Sequence, residues 1–95
     1  MTQVLFHIPG PLRGFTENRS QVQVEARAGG NLLEALQALF AACPGVRDRV
    51  LTEAGEIREH VNIFVANEDV RYTGGLATAV PLGAEVSIVP AISGG

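Results

Sequence analysis

Alternating apolar and polar positions near the start of the chain predict two strands. Over residues 3–8, Val4, Phe6 and Ile8 share one face, which is the period of a half-buried strand. Residues 21–26 alternate more cleanly, as an edge strand with one face in water does. Two prolines within residues 9–11 end the first run. A turn within residues 14–20 would make the two strands a hairpin.

A helical pattern follows. Asn31 and Glu34 have the spacing of a capping box, in which the two residues satisfy each other's backbone N–H groups. Apolar residues then recur at helical spacing, and they predict an amphipathic helix of about three turns: Leu32, Leu33, Leu36, Leu39 and Phe40. Pro44-Gly45 ends this helix, and residues 46–59 predict a short helical turn and a loop.

The second half of the chain predicts the remaining strands. Residues 61–65 carry the strongest strand pattern, and Asn67 closes this strand at a turn. Residues 70–72 are predicted to pair back as a short strand. A loop runs from Gly74 to residue 84, and residues 85–89 form the last strand, which Pro90 stops.

This order of elements predicts an α+β domain with the β-grasp, ubiquitin-like fold. The order is β-β-α-β-(β)-β, and the first and last strands are apolar enough to be central in the sheet. We therefore expect a mixed four- to five-stranded sheet packed on one main helix. Residues 1–89 would form this domain, and residues 90–95 would form a flexible C-terminal Gly-Gly tail.

Composition and charge narrow the class of protein. The chain is 46% hydrophobic and 18% charged, which is typical of a folded, soluble globule. It has neither the roughly 20 consecutive apolar residues of a membrane span nor a secretory signal, so we expect a cytoplasmic protein without a membrane partner. The net charge of −3 without a basic cluster argues against nucleic acid. The single cysteine, Cys43, favours a reducing compartment and is expected to be a buried thiol.

All seven basic residues are arginine, so the chain has no lysine. A biased genome or chance is one explanation. The other is that a protein with an activated C-terminus gains by offering no side-chain amine, because amines attack activated acyl groups.

The last six residues carry the chemistry. A carboxylate is a poor electrophile, so an ATP-using enzyme must convert it to an acyl-adenylate before a nucleophile can displace the nucleotide. Six extended residues reach at most about 20 Å, and glycine lets the backbone enter a narrow channel. We therefore expect the carboxylate of Gly95 to react while the rest of the tail enters the partner's active site: Pro90, Ala91, Ile92, Ser93 and Gly94. No spacing of residues supports a catalytic or metal site, and we expect no bound cofactor.

Strand alternation also predicts a docking face. If the helix covers the aliphatic side chains of residues 61–65, Phe64 must lie on the opposite face of the sheet. Leu5 and Val89 would lie near it on the two central strands. These three residues are the expected partner-docking surface, with Phe64 substantially exposed.

The chain from His60 onward resembles the MoaD/ThiS family of sulfur carriers, and within it the CysO-type carriers of cysteine biosynthesis. The matching segments are residues 61–63, 68–71, 74–79 and 86–95. Many members of the family have Asp-Gly-Asp in the turn before the last strand, whereas this chain has Leu82-Gly83-Ala84. This difference bears on which activating enzyme the chain meets.

The resemblance implies a carrier acted on by enzymes, and not an enzyme. An E1-like adenylating partner would use ATP to activate Gly95, which then becomes a thiocarboxylate. In the CysO-type branch, the sulfur passes to a PLP-dependent cysteine synthase, and a zinc peptidase releases the new cysteine from the carrier.

Several alternatives remain open from the sequence. The chain could be the small subunit of molybdopterin synthase, or a sulfur carrier for a thiolated metabolite. Two alternatives of another class are a ubiquitin-like protein modifier and an interaction domain whose tail is never activated.

Overall fold

The computed structural model describes residues 1–90, which contain a five-stranded sheet and one main helix. The strands are β1 (Thr2–His7), β2 (Gln21–Ala26), β3 (Val61–Val65), β4 (Glu68–Asp69) and β5 (Glu85–Pro90), and the helices are α1 (Leu32–Ala42) and α2 (Arg47–Val50). Four short 3₁₀ segments connect them: Gly10–Phe15, Pro44–Val46, Val70–Tyr72 and Gly75–Ala77.

The order of strands in the sheet is β2-β1-β5-β3-β4. Strands β1 and β2 form an antiparallel hairpin, β1 and β5 are parallel, and β3 is antiparallel to both β5 and β4. The last strand along the chain therefore lies in the middle of the sheet. The predicted β-grasp architecture, with a central first and last strand and β2 at one edge, is confirmed.

Helix α1 begins at the predicted capping box. The Asn31 Oδ1 atom accepts the Glu34 backbone N–H at 3.0 Å, and the Glu34 carboxylate accepts the Asn31 N–H at 3.3 Å. Arg27 donates two further hydrogen bonds to this carboxylate, at 2.8 and 2.9 Å. These bonds lower the pKa of Glu34 to about 2 because they stabilise its ionised form, and the hydrogen bonding from Arg27 has the largest effect.

The core lies between α1 and one face of the sheet. The inner face of the sheet contributes six buried strand residues: Val4, Phe6, Ile63, Val65, Val86 and Ile88. Leu32, Leu36 and Leu39 of the helix are fully buried against them. Each such side chain stabilises the fold by about 1.5–3 kcal/mol. Cys43 is also buried, as expected.

The predicted strand at residues 70–72 is wrong. Ala66 and Asn67 both have positive φ, 51° and 71°, so they form a two-residue turn of the I′ type. This tight turn pairs β3 with Glu68–Asp69 instead. The Asp69 side chain then accepts the Arg71 N–H at 2.9 Å and starts a 3₁₀ turn, which ends the pairing.

No helix within residues 1–90 is long and apolar enough to cross a membrane.

Candidate functional site

The site expected from the sequence begins where β5 ends. Pro90 is half-buried and lies opposite Val61 in the sheet, so β5 runs one residue past its predicted end at Val89. Proline fits there because Val61 donates its N–H to the Arg58 carbonyl at 3.0 Å, away from β5, so this pair needs no donor from residue 90. Ala91, Ile92, Ser93, Gly94 and Gly95 lie outside the described residues, and their roles stay predictions.

The three predicted docking residues lie on the sheet face away from α1. Val89 is 42% exposed. Leu5 and Phe64 are only half-buried, so the expectation that Phe64 is substantially exposed is wrong in degree. Alternation fixes the face of a side chain, whereas its exposure depends on neighbours from other strands that a single strand's pattern does not contain.

The strand register separates these residues with polar side chains. Leu5 lies opposite Gln23 and Glu85, Phe64 lies opposite Ser87 and Asp69, and Val89 lies opposite Asn62. His7 and Glu85 form a hydrogen-bonded pair across β1 and β5 on the same face. The three apolar residues therefore lie at three different levels of the sheet and are set among polar ones. Their docking role stays a prediction.

Two grooves flank the end of β5. The groove on the β1 side has a volume of about 340 Å³ and is lined by Pro9, Arg13, Gln21, Ser87 and Val89, among others. The groove on the β3 side measures about 410 Å³ and is lined by Ile57, Arg58, Val61, Val70 and Arg71, among others. The end of β5 thus lies between two concave surfaces.

Three arginines line these grooves, and each is held by a backbone carbonyl oxygen. Arg13 donates to Ile8 at 3.1 Å, Arg58 to Asp48 at 2.7 Å, and Arg71 to Glu59 at 3.0 Å. Within residues 1–90 none of the three forms a salt bridge. The sequence shows that every cation is arginine, but it does not show that three of them converge on one end of the sheet.

The described part of the chain holds no group of three or more His, Cys, Asp or Glu side chains placed to bind a metal.

Comparisons with known proteins show which family, which curated proteins and which solved structures this chain resembles. A model of the ThiS family matches residues 6–95. The chain is 36% identical to the sulfur carrier protein CysO of Mycobacterium tuberculosis, over 97% of this chain and 98% of that protein. It is 31% identical to small archaeal modifier protein 1 of Haloferax volcanii, over 78% and 80% of the two chains. In a crystal structure of the Amycolatopsis orientalis BexX/CysO complex, a chain 33% identical superposes with a TM-score of 0.84, over 97% and 99% of the chains.

Proposed function

The chain belongs to the ThiS family, and from this membership we propose that its Gly95 carboxylate is adenylated and then converted to a thiocarboxylate that donates sulfur. The chain is a sulfur carrier of the CysO type and not an enzyme. The observation that carries the proposal is the near-full-length similarity to CysO combined with a Gly-Gly end that follows the central strand β5.

The proposed chemistry occurs in two steps on the partner enzyme. The Gly95 carboxylate oxygen attacks the α-phosphorus of ATP and pyrophosphate leaves, which gives an acyl-adenylate. A sulfur nucleophile then attacks the acyl carbon and AMP leaves, so that sulfur replaces one carboxylate oxygen. This chain's part is to position the terminus, and positioning supplies much of the rate of such reactions.

We assign the acceptor by the same similarity. A PLP-dependent cysteine synthase would take the sulfur, and a zinc peptidase would free the cysteine that is left on the carrier. ATP, PLP and zinc belong to these partners. In this proposal the carrier contributes a terminus that fits several active sites in turn and a domain that each enzyme recognises.

Mass spectrometry tests the loading step. Incubation with the cognate activating enzyme, ATP and a sulfide source should raise the mass of the chain by about 16 Da at its C-terminus, as oxygen is exchanged for sulfur through an activated acyl group. Deletion of Gly95 and addition of one residue after it are matched controls, and both should abolish the gain. Loading that persists in either control would refute the proposal.

A protein modifier is the second candidate, and the similarity to small archaeal modifier protein 1 favours it. A modifier ends as an isopeptide on lysines of other proteins, whereas a sulfur carrier returns as a free chain. Affinity purification of a tagged chain from cells, followed by reduction and digestion, distinguishes them. Trypsin cuts this chain last after Arg71, so a modified lysine would carry the branched peptide of residues 72–95. That branched peptide on target lysines would support the modifier, and free thiocarboxylate alone would support the carrier.

A further inference from the structure

Apart from His7 and His60, the basic side chains around the end of β5 all belong to arginine. Pro90 lies opposite Val61, which shares a groove with Arg58 and Arg71, and Arg13 lines the groove on the β1 side. The whole chain contains seven arginines and no lysine. The structure therefore places three cations without an amine where the reactive tail begins.

Arginine and lysine differ in nucleophilicity more than in charge. A lysine amine has a pKa near 10.4, so a small neutral fraction is present at pH 8 and can attack an acyl group. The guanidinium of arginine stays protonated because its pKa exceeds about 12. An arginine at the base of the tail thus keeps the positive charge without supplying a nucleophile.

Distance decides which positions would matter. The five residues after Pro90 span at most about 18 Å, and a group on so short a tether has a millimolar effective concentration near its base. Arg27 follows Ala26, which pairs with Thr2 at the opposite end of the sheet. His7 lies level with Ser87, so Thr2 lies level with residue 82, and Arg27, one residue beyond Ala26, lies level with residue 81. Arg27 is therefore about nine strand residues, or roughly 30 Å, from Pro90.

We propose that the lysine-free surface around the end of β5, where Arg13, Arg58 and Arg71 supply the permanent positive charge, prevents the activated terminus from acylating its own chain, so that every acyl transfer goes to an external acceptor. This inference rests on the proposed function, since it assumes that Gly95 is activated. The reaction that is avoided is attack of a lysine nitrogen on the terminal carbonyl, which forms a C–N bond, expels the leaving group and releases the amine proton.

A chemically prepared thioester tests the inference without the activating enzyme. The full chain carrying a C-terminal 2-mercaptoethanesulfonate thioester, produced by intein cleavage, is incubated at pH 8 and followed by intact mass. The wild-type thioester should only hydrolyse. With Arg13→Lys or Arg58→Lys, the tethered amine should consume the thioester about tenfold faster, at a rate independent of protein concentration. The product should be a lactam about 18 Da lighter than the hydrolysed chain.

Two remote variants are the matched controls. Arg27→Lys keeps its charge beside Glu34, Ala28→Lys supplies an exposed amine in the following turn, and both should decay at the wild-type rate. Melting curves verify that each variant is folded. If Arg13→Lys is not folded, Arg58→Lys takes its place as the variant with an amine near the tail.

The inference would be overturned if the thioesters of Arg13→Lys and Arg58→Lys decayed at the same rate as those of Arg27→Lys and Ala28→Lys, whether that rate is fast or slow. Self-acylation of the wild-type chain would also overturn it. Failure of the proposed function would appear separately, as a lack of enzymatic loading with this thioester chemistry unchanged.

Discussion

Two phenylalanines lie on opposite faces of the same sheet, and replacing each of them in turn separates an effect on folding from an effect on docking. Phe6 on β1 is completely buried beneath α1, whereas Phe64 on β3 is half-buried on the outer face. Replacement of each by alanine removes the same atoms from different surroundings. We expect Phe6→Ala to act on stability and Phe64→Ala to act mainly on binding.

The expected magnitudes follow from burial. Phe6→Ala leaves a cavity in a filled core and should cost about 3–5 kcal/mol, a large part of the 5–15 kcal/mol typical of a domain. Phe64 already contacts water between Ser87 and Asp69, so its truncation should cost only about 1 kcal/mol of stability. If Phe64 anchors the partner, the same truncation should cost about 2 kcal/mol of binding, more than tenfold in Kd.

Urea denaturation measures the first quantity, and calorimetric titration with the activating enzyme measures the second. Phe64→Tyr is the matched control, because it keeps the ring on the same face and should bind like the wild type. A folded Phe64→Ala chain that binds within twofold of the wild type would refute the docking role. A loss of more than about 3 kcal/mol of stability would mean that Phe64 belongs to the core.

The remaining predictions concern charge, backbone and tail. In the folded chain Glu34 has a pKa of about 2, below its ordinary 4.5, so its ionised form stabilises the fold above about pH 4.5 and this stabilisation is lost as the pH falls towards 2. Acid titration of Glu34→Gln should therefore show a shallower loss of stability than that of the wild type, and an unchanged profile would contradict this. Gly83→Ala should lower the free energy of unfolding by about 1 kcal/mol because the φ angle of Gly83 is +81°. Gly14→Ala is the control, since a Cβ there also meets no neighbouring atom, and it should leave stability unchanged. Equal melting temperatures of the two variants would count against this prediction. Gly94→Ala should leave the melting temperature nearly unchanged yet impair loading; a markedly lower melting temperature would mean that the tail packs on the domain.

Much of the fold could be predicted from the sequence because local patterns and tertiary contacts agree there. The alternation in β1 and β2 and the Asn31 capping box each identify a face or a boundary, and the structure confirms them. The strand placed at residues 70–72 failed because the register was decided by the Ala66-Asn67 turn, and this sequence lacks the glycine that usually marks such a turn.

The candidate site was less predictable. The sequence identifies the tail by its chemistry, and it assigns Leu5, Phe64 and Val89 to a face by alternation. It does not show which polar residues separate them, because that depends on the register between strands far apart in the chain. The convergence of Arg13, Arg58 and Arg71 on the end of β5 was missed for the same reason.

The central place of β5 also bears on the order in which the protein is made. A chain being synthesised from its N-terminus completes the β1–β2 hairpin, α1 and the β3–β4 hairpin before the strand that joins them exists. Until β5 enters, β1 and β3 each have an open edge, and the sheet consists of two separate halves. The sheet can therefore be completed only after the segment that leads directly into the predicted reactive tail has left the ribosome. A shortened product that ends before β5 lacks both the tail and a complete sheet.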